Sequence, residues 1–541
     1  MAKRMKVQER LAGALAKAGL GPLFGVTGDA NVYLIDAFVS GHGGRFVAAA
    51  NEAGAALMAL GHASVSGRVG LATVTHGPAL TNTLTALAEG VKAGTPMVLL
   101  AGDTRHGERE NLQNIAQRDL ILATGAGFET IHRPETAVDD LARAIRRAGA
   151  ERRPVAFNMP VDLLSSEVED DACELRIALS RPEITPSGDD LDNAIGMIAA
   201  ARRPIILAGR DAIDDAARDA LIRLADRIEA PLATTLRAKG LFSGHPYHLG
   251  IMGTLSTPQA TEALISSDCI IAFGAGLNFH TTAEGSLVEG KRVIQIARQE
   301  AGIGRGHTPS VGLVGGIAET AGRMLYWLDE AEIAGSGFRT ALPAGSLAQQ
   351  PGPTRISSPG DLDYVDALTR LDALLPENRM LVTDAGRHMV KAMQYLDVEH
   401  PRLYVQTASF GSIGLGMAEA IGAAEAEPDR PVVLTVGDGG FMLGGLTEFN
   451  TAVRHGTDLI VLLMNDNCYG AEYAILRDKQ MDTALSRFDW PAFAPIAEAL
   501  GGRGVTIEGP DDFGRAAEAI ASRDRPLLIE LRLDPAKMPF W

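Results

Sequence analysis

Two short polar motifs, each directly after an apolar run, carry the clearest chemical signal in the sequence. The motif GDGG (437–440) follows the run PVVLTV, and the motif NDN (465–467) follows the run DLIVLLM. Carboxylate oxygens are the ligands that a hard divalent cation prefers, and glycines let backbone N–H groups approach phosphate oxygens. A GDG motif alone is more typical of a tight turn. Because two such motifs each end a strand-like apolar run, we predict a metal and diphosphate site built on Asp438 and Asp466.

Apolar runs alternate with helical patterns along the chain, and this alternation predicts the elements that position the motifs. Examples are PLFGV and MVLLAG in the first third, RPIILAG and CIIAFGAG in the middle, and MLVTDAG and PLLIELRL in the last third. Strands that alternate with helices form mostly parallel sheets with helices on both faces. We therefore predict an α/β protein with three doubly wound domains at 1–170, 188–334 and 361–541. The acidic and Pro/Ser-rich stretch 165–188 is a predicted linker, and the Gly/Pro/Ser-rich stretch 335–360 closes the second predicted unit.

The composition argues against several classes of protein. The 541-residue chain has a formal net charge of −17 and no basic stripe, so nucleic acid and anionic membranes are not expected partners. No apolar run approaches the roughly 18 residues of a membrane span. Cys173, Cys269 and Cys468 are widely separated and show no zinc-ligand spacing, which fits a reducing cytosol. We therefore expect a cytoplasmic protein.

The order of these motifs resembles that of the thiamine-diphosphate enzymes related to acetohydroxyacid synthase, benzaldehyde lyase and pyruvate decarboxylase, over nearly the whole chain. The resemblance implies a pyrimidine-binding N-terminal domain, a central domain and a diphosphate-binding C-terminal domain. It implies Mg²⁺ ligands at Asp438, Asp466 and the backbone carbonyl of Cys468. Many relatives have Asn where this sequence has Asp466, and an Asp keeps the oxygen ligand while adding a negative charge. The further cofactor-binding residues that the resemblance implies are Glu52, Gly386, Gly411, Ile413, Gly437, Gly439, Gly440 and Tyr469.

Three of these residues have defined roles in the family. Glu52 lies in NEAGAA, at the start of an Ala-rich helical pattern, where an isolated Glu is usually a surface residue that the helix dipole favours. The resemblance implies instead that Glu52 hydrogen-bonds the aminopyrimidine ring and activates the cofactor. Ile413, in SFGSIG, corresponds to the branched side chain that separates the two cofactor rings, and ordinary core packing is its alternative interpretation. Gly411 would offer its carbonyl to the aminopyrimidine.

Four residues are candidates for proton transfer and for placing the substrate oxygen. Asp29, in FGVTGDAN, resembles a proton-handling Asp of pyruvate decarboxylase and could equally cap the following helix. His76 stands where related loops have Ser, and it is a candidate acid/base or a structural histidine. Gln113 corresponds to a Gln that contacts substrate oxygen in relatives. Glu472 corresponds to a catalytic Glu of pyruvate decarboxylase, with a surface Glu as the alternative.

The resemblance implies a C–C bond lyase or carboligase that acts on 2-oxo acids, 1,2-diketones or 2-hydroxy ketones through a carbanion/enamine intermediate. Paired histidines of pyruvate decarboxylase are missing, which disfavours a simple 2-oxo acid decarboxylase. An acetolactate synthase-type transferase, a 2-oxo acid decarboxylase and a non-catalytic relative remain alternatives. Ala297 follows VIQI where an acidic residue is typical of flavin binding, so we expect thiamine diphosphate and Mg²⁺ without FAD. Small-molecule carbonyl compounds are the expected partners, in a homodimer or homotetramer with active sites at subunit interfaces.

Overall fold

The computed structural model describes residues 4–169, 174–177, 184–343, 345 and 347–539, and this part of the chain contains three six-stranded sheets. The N-terminal part opens with a short antiparallel pair, β1 (Arg4–Lys6) with β8 (Glu167–Glu169). Its sheet is formed by β2 (Leu23–Gly25), β3 (Phe46–Ala48), β4 (Gly70–Val74), β5 (Met97–Asp103), β6 (Gly127–Thr130) and β7 (Pro154–Pro160). The helices of this part are α1 (Val7–Lys17), α2 (Val32–Asp36), α3 (Glu52–Ser66), α4 (Pro78–Thr81), α5 (Leu84–Ala93), α6 (Gln117–Ala123), α7 (Ala137–Glu151) and α8 (Val161–Leu164).

The central part has its own parallel sheet. Its strands are β9 (Pro204–Ala208), β10 (Leu232–Thr234), β11 (His248–Ile251), β12 (Cys269–Phe273), β13 (Arg292–Ala297) and β14 (Val311–Val314). Its helices are α9 (Asp189–Ala199), α10 (Asp215–Ile228), α11 (Pro258–Ser266) and α12 (Ile317–Glu330). The order β11-β10-β9-β12-β13-β14 reverses direction between β9 and β12.

The C-terminal part carries the third sheet. Its strands are β15 (Met380–Thr383), β16 (Tyr404–Gln406), β17 (Val432–Gly437), β18 (Leu459–Asn465), β19 (Arg503–Ile507) and β20 (Leu527–Arg532). Its helices are α13 (Tyr364–Leu374), α14 (Met389–Tyr395), α15 (Gly416–Ala426), α16 (Asp438–Gly440), α17 (Leu446–His455), α18 (Gly470–Asp478), α19 (Phe493–Ala499) and α20 (Phe513–Ala521). A π-helical turn at Phe441–Gly445 joins α16 to α17, so the three form one continuous helical segment.

The strand order places the predicted motifs at equivalent points of the first and third sheets. The orders are β3-β2-β4-β5-β7-β6 and β16-β15-β17-β18-β20-β19, so the chain reverses direction between β2 and β4 and between β15 and β17. In doubly wound sheets, ligands bind outside the carboxyl ends of the strands at such a reversal. Every residue of β7 and β18 is buried, as expected where helices cover both faces. The predicted α/β class with three mostly parallel sheets is confirmed.

Contacts divide the chain into two compact units. One consists of Met1–Ser180, Arg355–Ala392 and Val405–Trp541, and therefore holds the first and third sheets, while the other consists of Arg181–Thr354 and Met393–Tyr404. The domain boundaries predicted at 1–170, 188–334 and 361–541 stay predictions. Much of the predicted linker 165–188 (170–173 and 178–183), with Cys173, lies outside the described residues. Within the described ranges, no helix has the length and apolar character needed to cross a bilayer.

In the first unit, α3 and α15 pack with their backbones in direct contact. A Cβ added to Gly61 of α3 would lie 2.1 Å from the carbonyl oxygen of Glu419, and one added to Gly422 of α15 would lie 1.9 Å from that of Met58. Only glycine permits such an approach. Because α3 begins at Glu52 and α15 begins just after Ile413, this contact fixes the relative position of two predicted cofactor segments.

Candidate active site

Asp438 lies at the carboxyl end of β17, beside two glycines whose lack of a side chain leaves room for Tyr469 and Asp384. A side chain at Gly439 would meet the Tyr469 ring at 2.4 Å, and one at Gly440 would meet Asp384 Oδ2 at 2.7 Å. The Asp438 side chain is buried, and its Oδ2 has no hydrogen-bond partner. Burial, together with the nearby Asp466 carboxylate, raises the pKa of Asp438 to about 7. A buried, unpaired carboxylate oxygen of this kind is what a bound cation would stabilise.

Asp466 follows the neighbouring strand β18 and is also buried. Its Oδ2 accepts a hydrogen bond from Arg387 Nη2 at 2.8 Å, and its Oδ1 accepts one from Cys468 Sγ at 3.2 Å. Burial raises the pKa of the Asp466 carboxyl, and the Arg387 guanidinium offsets part of that rise. Burial and the Asp466 charge raise the pKa of the Cys468 thiol as well, so this thiol remains protonated.

The donor set at these strand ends fits Mg²⁺ with a diphosphate. Asp438 and Asp466 provide hard oxygen ligands, and no cluster of three or more His, Cys, Asp or Glu suited to a metal occurs among the described residues. A cation bound here therefore needs further oxygens, from a backbone carbonyl such as that of Cys468 and from the ligand's phosphates. On the same side, His388 lies 3.4 Å from the position of a Cβ on Gly437, and its buried Nε2 has no partner.

The segment that carries Ile413 is held by two carboxylates that are absent from the predicted site residues. Asp384, at the end of β15, accepts hydrogen bonds from the backbone N–H of Gly414 at 2.8 Å and from the next two residues. Glu89 of α5 accepts from the backbone N–H of Ser409 and Phe410. Burial raises the pKa of Asp384 to about 6. A sequence pattern could have identified Asp384, because it directly follows the apolar strand MLVT. Asp438 was predicted from the same kind of position at the end of a strand.

Two other predicted residues of this region are partly open to solvent. Ile413 is half-buried at the start of the α15 segment. Gly411 is exposed with φ +80°, a conformation that favours glycine. Gly386 also has a positive φ, of +141°, where the chain leaves β15. Tyr469 packs its ring against Gly439 and edge-on to Phe488, with ring centroids 4.6 Å apart.

Glu52 is the first residue of α3 and is half-buried. Oε2 accepts a hydrogen bond from Asn82 Nδ2 at 2.9 Å. Just before it, Glu448 of α17 accepts hydrogen bonds from the backbone N–H of Ala50 and Asn51 at 3.1–3.2 Å. Glu448 lies ten residues beyond Asp438 on the same helical segment, a rise of about 15 Å. Within one chain, the residues just before Glu52 are therefore held beside the middle of that segment, away from Asp438.

The structure brings Asp29, His76 and Gln113 together at the carboxyl ends of β2 and β4. Asp29 Oδ1 accepts a hydrogen bond from Thr75 Oγ1 at 2.7 Å, and its Oδ2 lies 3.8 Å from His76 Nε2. His76 is buried, whereas Asp29 is exposed. A Cβ on the intervening Gly77 would lie 2.5 Å from the Gln113 carbonyl oxygen. Asp29 does not take the capping role considered above, because Asn31 occupies the N-cap position of α2.

Gln117 was not selected from the sequence, yet it holds this loop. It is buried, and its Oε1 accepts from the Gly77 backbone N–H at 2.9 Å. Its Nε2 donates to the Gly102 carbonyl and to Asn158 Oδ1, both at 2.9 Å. Glu472 lies exposed near the start of α18, and among the described residues no hydrogen bond or ion pair joins it to Asp29.

Comparison with known proteins assigns each sheet region to one family. Three models match: "Thiamine pyrophosphate enzyme, N-terminal TPP binding domain" at 5–123, the central domain at 191–324, and the C-terminal TPP binding domain at 384–531. A probable acetolactate synthase large subunit of Methanocaldococcus jannaschii is 27% identical over 98% of this chain and 93% of its own length. Sulfoacetaldehyde acetyltransferase of Castellaniella defragrans is 27% identical over 95% of this chain and 90% of its own. The acetolactate synthase large subunit of Corynebacterium glutamicum is 26% identical over 97% and 87%, respectively.

Proposed function

The chain belongs to the thiamine pyrophosphate enzymes, and we propose that it is a carboligase or lyase acting on 2-oxo acids, 1,2-diketones or 2-hydroxy ketones. Thiamine pyrophosphate is the same molecule as thiamine diphosphate. One observation carries the site assignment: two buried carboxylates, Asp438 with an unpaired oxygen and Asp466, lie at the carboxyl ends of adjacent strands β17 and β18. This arrangement supports a cation between the protein and a diphosphate.

In this proposal the C-terminal strand ends hold the cofactor, and Mg²⁺ is bound by Asp438, Asp466 and the Cys468 carbonyl. Thiamine diphosphate, when bound, supplies a nucleophilic carbon that adds to a carbonyl group and stabilises the charge that develops there. Because Gly439 has no side chain, phosphate oxygens can approach the backbone N–H groups of this turn. Ile413 orients the cofactor through its branched side chain, and Asp384 holds the backbone on which Ile413 lies.

Glu52 holds or releases a proton at its carboxylate, which activates the cofactor from the pyrimidine side. Asn82 orients that carboxylate through its hydrogen bond to Oε2. On the substrate side, His76 Nε2 and Asp29 Oδ2 form a pair in which a proton can be held at either atom. Gln113 is the candidate for a side-chain contact to substrate oxygen, and Glu472 is the remaining candidate for proton transfer.

A second candidate, an acetyl-transferring or acetolactate-forming reaction, is favoured by the relatives. Proteins named acetolactate synthase and sulfoacetaldehyde acetyltransferase match more than nine-tenths of this chain. The absence of flavin stays a prediction for this chain: Ala297 ends β13, and the next residue, Arg298, donates to Asp214 Oδ2 at 2.9 Å. If the purified protein showed the visible absorption band of a bound flavin, at about 450 nm, that prediction would be contradicted.

The proposed active unit is a homodimer, or a homotetramer built from such dimers, with two sites per dimer. Glu52 is held near Glu448 and away from Asp438 of its own chain, which favours completion of each site by Glu52 of the partner subunit. To test this, Glu52→Gln chains are mixed with Asp438→Ala chains after mild dissociation. Each variant alone should be inactive, and exchanged heterodimers should regain up to about one site in two. Inactive mixtures with proven subunit exchange would show that each chain builds its own site.

The reaction class is tested by a substrate screen of the purified protein with thiamine diphosphate and Mg²⁺. The panel contains 2-oxo acids, 1,2-diketones and 2-hydroxy ketones, each alone and with an aldehyde, a 2-oxo acid or phosphate as acceptor. Product analysis by mass spectrometry distinguishes cleavage, ligation and acyl transfer, and Glu52→Gln is the matched control. Turnover that is independent of added thiamine diphosphate in cofactor-stripped protein would contradict the proposal.

A further inference from the structure

Arg387 is a buried arginine between the ends of β15 and β18. It is 5% exposed, and its Nη2 donates to Asp466 Oδ2 at 2.8 Å and to the Pro535 carbonyl at 3.0 Å. The guanidinium carbon lies 5.7 Å from the centroid of the Tyr473 ring. Its Nε and Nη1 are buried without a hydrogen-bond partner. Unsatisfied buried donors are rare in native proteins, and this pair belongs to the arginine that contacts the predicted metal ligand Asp466.

The charges around this arginine explain why it is there. Asp438 and Asp466 are both buried and lie at the ends of the adjacent strands β17 and β18, so two carboxylates share a site with little access to water. A guanidinium carries a positive charge and cannot act as a hydrogen-bond acceptor, so Arg387 adds a cation beside these two carboxylates. Removing either member of a buried ion pair leaves the other uncompensated, which is far more costly than removing both.

We propose that Arg387 is the counter-charge that allows an aspartate at position 466 to serve in the metal–diphosphate site, so that the two residues set Mg²⁺ affinity together. This inference rests on the proposed function of the same site. Arg387 is a positioning residue: it acts on the metal through Asp466 and through the net charge of the pocket. A purely structural ion pair, which only ties the β15 turn to the end of β18, is the alternative.

The test is a double-mutant cycle of Asp466→Asn, Arg387→Gln and the double variant. Mg²⁺ binding is measured by calorimetry at saturating thiamine diphosphate, and thermal unfolding is measured without either ligand. Asp466→Asn leaves an unpaired guanidinium beside the metal, so we expect Mg²⁺ affinity to fall at least about tenfold. Adding Arg387→Gln removes that positive charge, so the double variant should recover at least about fivefold of the loss.

Two further variants control for folding and for structural effects. Arg387→Lys keeps the charge and should bind Mg²⁺ within about threefold of wild type, even if a Gln substitution there fails to fold. The matched control is the ion pair of Arg379 with Asp372, because Arg379 is also buried and also has an unpartnered Nε, but precedes β15 at the opposite end of the strand. The cycle Arg379→Gln and Asp372→Asn should change unfolding temperature and leave Mg²⁺ affinity unchanged.

The outcomes separate this inference from the proposed function. Recovery of Mg²⁺ affinity in the Arg387/Asp466 double variant supports the inference. Equal Mg²⁺ affinity in Asp466→Asn and in the double variant overturns it, and coupling in unfolding temperature alone then assigns the pair a purely structural role. If wild-type protein binds no Mg²⁺ with thiamine diphosphate, the proposed function fails first and the inference fails with it.

Discussion

Replacing Glu448 by alanine is expected to destabilise the first unit and to lower turnover, although Glu448 contacts no substrate. The side chain is 1% exposed, and its carboxylate accepts the backbone N–H groups of Ala50 and Asn51. Alanine leaves both donors without an acceptor, and because Ala50 is exposed and Asn51 is half-buried, water replaces part of the lost interaction, so we expect a total loss of about 2 kcal/mol in the free energy of unfolding. The next residue, Glu52, begins α3, and a shift of about 1 Å in a catalytic group can cost about a hundredfold in rate. We expect turnover to fall at least about tenfold.

Glu448→Gln separates the hydrogen bonds from the charge. Burial raises the pKa of Glu448, which means that its hydrogen bonds do not fully offset the cost of burying the charge. The glutamine side chain is neutral and keeps one acceptor oxygen. The substitution should therefore lower the free energy of unfolding by about 1 kcal/mol or less and leave turnover within about threefold of wild type. Urea unfolding and steady-state turnover are measured for both variants, with the exposed Glu498→Ala as control. Wild-type stability and turnover in Glu448→Ala would refute the reasoning.

Three further predictions concern the cofactor, the activating residue and pH. Chelation and dialysis should abolish turnover until both Mg²⁺ and thiamine diphosphate are restored, since Asp438 beside a diphosphate is repulsive without a cation; undiminished activity of the stripped protein would contradict this. Glu52→Gln should keep cofactor binding by calorimetry and lower turnover at least about a hundredfold, whereas an unchanged rate of cofactor proton exchange by NMR would exclude that role. Burial lowers the pKa of His62 from 6.5 to about 4, so stability is retained above pH 6.5 and falls by about 3 kcal/mol as pH drops to 4. Urea unfolding of His62→Gln should lack this component, and an identical pH dependence would argue against it.

Sequence reasoning located the parts of the site that lie within one strand and its following turn. Asp438 and Asp466 each follow an apolar strand, and the strand order then brings them together, so local patterns were sufficient. Hydrogen bonds between residues that are far apart in the sequence leave no local pattern of this kind. Arg387 is 79 positions from Asp466, and Glu448 is 398 positions from Ala50, so neither hydrogen bond could be inferred without the fold. The burial of individual side chains could not be inferred from the sequence either. Asp29 and His76 were both predicted as candidates for proton transfer, yet Asp29 is exposed and His76 is buried.

The backbone contact between α3 and α15 restricts how the protein can be varied by evolution or by engineering. Gly61 and Gly422 lie within helices, where alanine would ordinarily be the more stabilising residue. Here a single methyl group would force the helices apart and move the segments that begin at Glu52 and end at Ile413. Mutant libraries aimed at new substrates should therefore keep both glycines. They should vary the solvent-accessible residues around Asp29 and Gln113, near the carboxyl ends of β2 and β4. Substitutions introduced there to change specificity leave the distance between α3 and α15 unchanged.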